Sequence, residues 1–337
     1  MSIQILNREW APAGGDVTEG QIGAWHRAMP FTRLVDCGMD HADARELLAR
    51  TSEGEPWDVV AGDIGDRQAQ RRDYAHRQDR EVTAMSAARF AAAAYNFAQM
   101  AHNTDTDRRV AQYRRFTEAL RAVADLSSGR FQELQVTYRD TELTGWLSLP
   151  KNDQDEYIGT VVLWGGLSGW GGTYLNTADA LNQRGIAVIL AEGPGQGTPR
   201  MDHDLYLSAE TLPGFSAFVD VIESDERLSG PVGIQGNSFG GLFAAHVAAS
   251  DERVVACIIN GAPADPPVPE FRNAREQLFS LLGTDDPTVA DRMVAALRFD
   301  PARKQIVVPT LVLQGGQDPL ATPDAQLPFV NGLQHPD

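Results

Sequence analysis

The chain has 337 residues, enough for one large domain or two moderate ones with a real core. Its 46 acidic and 29 basic residues give a formal charge of -17, a surface that repels phosphate backbones and anionic lipid, so neither nucleic acid nor membrane is an expected partner. No stretch reaches the roughly 20 apolar residues of a membrane span, and residues 1–10 lack the basic-then-apolar pattern of a secretory leader, so a cytoplasmic address is expected.

Up to about residue 130, alanine, arginine and glutamine dominate and apolar residues recur at helical spacing. Residues 40–50 read as a short helix. Residues 83–102 form a long alanine-rich one carrying Met85, Phe90, Tyr95, Phe97 and Met100, which are expected to pack against neighbouring helices. Residues 105–126 form another, with Thr104 or Asp105 as its N-cap. After Gly129 the pattern changes to short β-rich runs broken by glycine and proline. Residues 131–138 and 142–149 alternate and are expected to pair antiparallel. Continuous apolar runs follow at 160–164, 186–190, 232–235, 254–259 and 306–313, the signature of strands buried on both faces, with room between them for crossover helices. Residues 322–333 read as a closing helix. The expected fold class is therefore α/β, a mostly parallel sheet flanked by helices, over residues 131–337, preceded by an all-helical region over 1–130. Cys37 and Cys257, the only cysteines, lie far apart, which argues against a disulfide framework or a cysteine metal site; Cys257 reads as inert strand packing.

The chemistry-bearing signal is Gly236-Asn237-Ser238-Phe239-Gly240-Gly241, a glycine-flanked serine between a strand and a helix. A sharp strand-to-helix turn holds such a serine in a strained backbone conformation, and the flanking positions must be small. Ser238 Oγ would then stand at the N-terminus of the following helix, where the Phe239 N–H can donate to a developing oxyanion. A second donor is expected after the strand 160–164, in Gly165-Gly166-Leu167-Ser168-Gly169, with Leu167 favoured over Gly166. Ser168 itself lacks the glycine register of a nucleophile. The acid is expected after a later strand, at Asp318 in Gly315-Gly316-Gln317-Asp318-Pro319, with Asp265 as the second candidate. A histidine should follow the acid, and His335 is the histidine that does so in this sequence. His246, inside the helix after Ser238, reads as packed or solvated. His203, on the loop after 186–190, reads as a substrate contact or a plain surface residue. Gly193-Pro194-Gly195-Gln196-Gly197 does not have the glycine spacing of a dinucleotide-binding turn, and no cofactor or metal is expected.

An N-terminal helical region, Gly193-Pro-Gly-Gln-Gly197 after one strand, Gly236-Asn-Ser-Phe-Gly-Gly241 after another and Gly316-Gln-Asp-Pro319 after a third together resemble the 2,6-dihydroxypseudooxynicotine hydrolase and FrsA-like branch of the α/β-hydrolases. The resemblance implies a helical cap at 1–130, often involved in dimerisation, and a catalytic domain at 131–337 lacking its last strand and helix. It implies hydrolysis of carbon–carbon bonds in 1,3-diketone-like ketones, or the shortening of polyketide chains in secondary metabolism, on a small-molecule substrate. Ser238 matches the branch's nucleophile and Asp318 its acid. The branch's histidine sits in a Gly-Asp-His-Cys-like loop after the last strand, which places the expected loop beyond Asp337. A non-hydrolytic cyclase, isomerase or ligand-binding protein of the same fold is the alternative.

Overall fold

The computed structural model describes residues 17–151, 158–228 and 230–334, which fall into two compact units. The first holds residues 1–132 with 172–176; the second holds 133–171 and 177–337.

The helical unit carries α1 (Glu19–Ala28), α2 (Phe31–Asp36), α3 (His41–Ser52), α4 (Trp57–His76), α5 (Glu81–Met100) and α6 (Asp107–Leu126). Side-chain caps set several starts. Thr18 and Gln21 form a capping box on α1, and Asp40 accepts from Ala42 and Asp43 N–H on α3. The N-cap of α6 is Thr106, not Thr104 or Asp105, because its hydroxyl is the one that reaches the Arg109 N–H. Tyr95, Phe97 and Met100 are buried along α5, and the alanines between them let α4 approach closely. At the crossing, a Cβ on Gly65 would stand 2.4 Å from the Tyr95 ring. Trp25, Leu34, Leu47, Trp57, Val60, Ile64 and Phe97 form the core of this unit. Each such fully buried large side chain contributes on the order of 2 kcal/mol against the entropy of ordering the chain.

The second unit is built on a seven-stranded sheet of order β1-β2-β4-β3-β5-β6-β7. Its strands are β1 (Phe131–Tyr138), β2 (Thr141–Ser148), β3 (Gly159–Trp164), β4 (Ile186–Glu192), β5 (Val232–Asn237), β6 (Val254–Asn260) and β7 (Thr310–Leu313). Only Arg139 and Asp140 separate β1 from β2, so these two neighbours form a hairpin. β2 runs antiparallel to β4, and β4, β3, β5, β6 and β7 run parallel. The predicted strand at 306–313 shortens to β7, because Pro309 has no N–H for a ladder; Ile306 makes only an isolated parallel bridge to Leu333. The remaining helices are α7 (Leu175–Asn182), α8 (Gly197–Met201), α9 (Ala217–Ser224), α10 (Phe239–Ala248), α11 (Arg272–Leu282), α12 (Pro287–Leu297) and α13 (Pro323–Asn331). Every residue of α10 is buried, which its apolar composition on all faces requires. The chain passes from β4 across β3 to β5, so the sheet reverses its winding there. The loops after β3 and β5 diverge at the carboxyl end of the strands, where open α/β sheets hold ligands. None of the described helices is long and apolar enough to cross a membrane.

Candidate active site

Ser238 joins β5 to α10 with φ 54° and ψ -133°, a conformation that L-residues rarely adopt. Two backbone bonds hold it there. Its N–H donates to Asn260 O at the end of β6 (2.7 Å), and Gly241 N–H donates to Ser238 O (2.8 Å). The flanking glycines are required by space: a Cβ on Gly236 would lie 2.0 Å from Gly240 O, and one on Gly240 would lie 2.4 Å from Trp164 O. A side chain at either position would push the turn apart, so the glycine spacing and the strained serine are one feature.

The loop after β3 lies directly against this serine. A Cβ on Gly166 would stand 2.8 Å from Ser238 Cβ, 3.0 Å from Ser238 Oγ and 3.1 Å from Phe239 N. Phe239 opens α10, so its N–H has no intrahelical partner, and the helix dipole favours negative charge beside it. Leu167, Ser238 and Phe239 line one narrow pocket with Pro263, Pro266, Pro267, Pro269, Leu278 and Leu320. Its walls are apolar and, through the prolines, stiff.

Asp318 lies beyond the carboxyl end of β7. Its Oδ1 accepts from the N–H groups of Leu320 (2.8 Å) and Ala321 (3.0 Å), a turn that fixes the carboxyl group. Its Oδ2 lies 3.6 Å from where a Cβ on Gly261, just past β6, would stand. Asp265, the second candidate acid, is exposed.

The histidines fall in different places. His246 is buried in α10; its Nε2–H donates to Leu297 O (2.8 Å) and its Nδ1 accepts from Lys304 Nζ (2.9 Å). Burial, aided by the Lys304 charge, pushes its pKa down to about 4. It is a neutral, fully bonded core histidine. His203 is exposed in the turn after α8 and does not line the Ser238 pocket. His335 lies outside the described residues. Cys257 is buried in β6, and burial pushes its thiol well above its ordinary value.

Two side chains that the sequence reading did not single out hold the loop after β3. Gln196, fully buried, donates from Nε2 to Gly165 O (2.6 Å) and Gly166 O (3.4 Å), and its Oε1 accepts from Gly193 N–H (3.1 Å). Trp170 Nε1 donates to Gly166 O (3.0 Å). The signal available in the sequence was a glutamine enclosed in the glycine run after β4, and nothing there tells which carbonyls it serves.

The geometry has counterparts among known proteins. Residues 155–284 match the family described as serine aminopeptidase, S33. A curated relative, 2,6-dihydropseudooxynicotine hydrolase of Paenarthrobacter nicotinovorans, is 28% identical over 176 residues, covering 50% of this chain and 47% of that one; the match thus spans about half the relative's length. The solved structure of 2,6-dihydroxy-pseudo-oxynicotine hydrolase superposes with a TM-score of 0.77 at 23% identity, over 89% of this chain and 86% of the other. AbyA5 superposes with a TM-score of 0.69 at 17% identity, over 94% and 85%. With the strand order and the glycine-flanked serine turn, these show an α/β-hydrolase fold in a chain similar to 2,6-dihydroxy-pseudo-oxynicotine hydrolase in both sequence and structure.

Proposed function

We propose that this chain is a serine-nucleophile hydrolase that cleaves an ester or an activated, 1,3-diketone-like carbon–carbon bond of a small aromatic or polyketide-type substrate. The observation that carries the reading is Ser238 held at φ 54° with the Phe239 N–H and the Gly166–Leu167 segment packed around it. The apolar, proline-stiffened pocket supports an apolar carbonyl substrate. A relative that bears the name of a pseudooxynicotine hydrolase supports the ketone class.

In this reading Ser238 Oγ attacks the substrate carbonyl as a histidine takes its proton. Phe239 and Leu167, or Gly166, donate their N–H groups to the oxyanion. Asp318 holds the imidazole in its useful tautomer and stabilises the imidazolium. Collapse breaks the bond to an alkoxide or, for a diketone, to an enolate carbon, which receives the proton back from the imidazolium. Water, deprotonated by the same histidine, then releases the acyl group from Ser238. His335 is our assignment for that histidine. Water adds across the broken bond with no net oxidation or reduction, so the reaction needs no redox cofactor.

A fluorophosphonate probe tests this directly. The wild type should be labelled, Ser238→Ala should not, and His335→Ala should react at least about a thousandfold more slowly. A folded wild type that resists the probe would overturn the reading in favour of a non-hydrolytic protein of the same fold. Normal labelling of His335→Ala would move the base elsewhere. Hydrolysis of paired ester and β-diketone substrates then separates the two bond classes.

A further inference from the structure

The glycine run Gly193-Pro-Gly-Gln-Gly197 follows β4, the strand beside β3, and has no part in the mechanism above. Its glutamine does not behave as a turn residue. Gln196 is fully buried, and both ends of its amide are used on backbone. The Gly193 N–H fixes which end is oxygen, so the NH₂ end must face the loop after β3. There it meets the carbonyl of Gly165 closely and that of Gly166 more distantly, and the Gly166 carbonyl is taken from a second side by Trp170 Nε1. Arg200, from the end of the same segment, lies 4.6 Å from the centre of the Trp170 ring, and its Nη1 donates to Gly195 O (2.9 Å). The two segments are thus joined at both ends, through Gln196 and through the Arg200–Trp170 stack.

These bonds bear on the other face of the same peptides. No described peptide is cis, and in a planar trans peptide the N–H points opposite the carbonyl. Fixing the Gly165 carbonyl therefore fixes the Gly166 N–H, and fixing the Gly166 carbonyl fixes the Leu167 N–H. We infer that Gln196 and Trp170 are positioning residues, which orient the second oxyanion donor by holding the carbonyl side of its peptide. The inference rests on the serine-nucleophile reading. It assigns the glycine run after β4 a place in the catalytic machinery that its sequence does not announce. Oxyanion donors act only if they are aimed before charge develops, and a glycine-rich loop has no stiffness of its own to aim them.

The test uses the full chain, with Gln196→Met to remove the amide and Trp170→Phe to remove one donor while keeping an aromatic face for Arg200. Phosphonylation of Ser238 develops negative charge on the phosphoryl oxygen, so the labelling rate reads the oxyanion site without a known substrate. Labelling should slow about tenfold or more in Gln196→Met, below the loss for deleting a donor outright, and several-fold in Trp170→Phe. Carbonyl ¹³C resonances of Gly165 and Gly166 should shift in Gln196→Met, and that of Gly166 in Trp170→Phe, with the unfolding midpoint changed far less than the rate. Wild-type labelling rates in both variants, or unmoved carbonyl resonances in Gln196→Met, would overturn the inference. If Gln196→Met does not fold, Trp170→Phe decides. An unlabelled wild type would overturn the serine reading and the inference with it, and it is recognised before any variant is compared.

Discussion

The two units differ in what their buried polar groups most often serve. In the helical unit, buried polar side chains mostly bind one another. Asp58, 1% exposed, accepts from His102 Nε2 (3.2 Å) and from Arg108 Nε, and Asp43 accepts from Arg67 (2.7 Å) and Gln68 (2.6 Å). Where side chains serve the backbone it is largely near helix ends, as with Trp57 Nε1 on Phe97 O (3.1 Å), Trp25 Nε1 on Ala101 O (3.4 Å), Thr51 Oγ1 on Leu47 O (2.7 Å) and Ser127 Oγ on Ala124 O (2.7 Å). In the sheet unit, Gln196, Trp170, Arg200 and His246 all bind backbone carbonyls. The difference follows from where each architecture leaves carbonyls without partners. A helix satisfies its own except in the last turn, whereas the chain leaving a parallel strand drops out of the ladder at once. Loops at strand ends therefore recruit side chains, and side chains that hold a loop can aim it. This is why the candidate site is assembled in the sheet unit.

The sharpest way to break this contrast is at the turn itself. Gly236→Ala sets a Cβ 2.0 Å from Gly240 O, a clash with backbone that no rotamer can relieve. We expect the largest effect here, a loss of more than about 4 kcal/mol or no folding at all, read by urea unfolding. Asp58→Ala in the helical unit should cost somewhat less, about 3 kcal/mol, since it leaves a buried histidine and an arginine without their shared carboxylate. An effect below about 1 kcal/mol would mean that the pair merely tolerates burial.

The third effect, spread over a pH range, is a pH dependence. The His246 imidazole takes its proton near pH 6.5 when unfolded but only near pH 4 when folded, so between those values the unfolded state binds more protons. Its contribution is full above about pH 6.5 and is lost as pH falls towards 4. Carboxylates held low by arginine partners, such as Asp251 beside Arg253, lose their contribution at still lower pH. His246→Gln keeps a donor for Leu297 O and should flatten the unfolding free energy between pH 6.5 and 4; an unchanged slope would place the titrating group elsewhere.

The sheet was legible in the sequence because most of its parallel strands carry runs of apolar residues, and the serine turn because its glycines sit at fixed offsets. The end of the last strand was misplaced because apolar residues continue through Pro309, where the ladder cannot. Helix α4 was not legible at all. Its buried face includes Gly62, Gly65 and Gln68 beside Ile64, and it packs on Tyr95 through the absence of a side chain, which hydrophobic periodicity cannot register. Gln196 was missed for a related reason. Its partners, Gly165 and Gly166, lie about thirty residues away and are carbonyls, identical in every amino acid.

The backbone at position 238 has a consequence for how this protein can change over time. At φ 54° and ψ -133°, serine is intrinsically less stable than glycine by on the order of 1 kcal/mol, so the side chain is held there against the folding equilibrium. A lineage freed from selection for that hydroxyl would gain stability by losing it, and drift at this codon would run towards glycine. If Ser238 is the nucleophile, its hydroxyl is kept for its chemistry at a position where folding alone favours glycine.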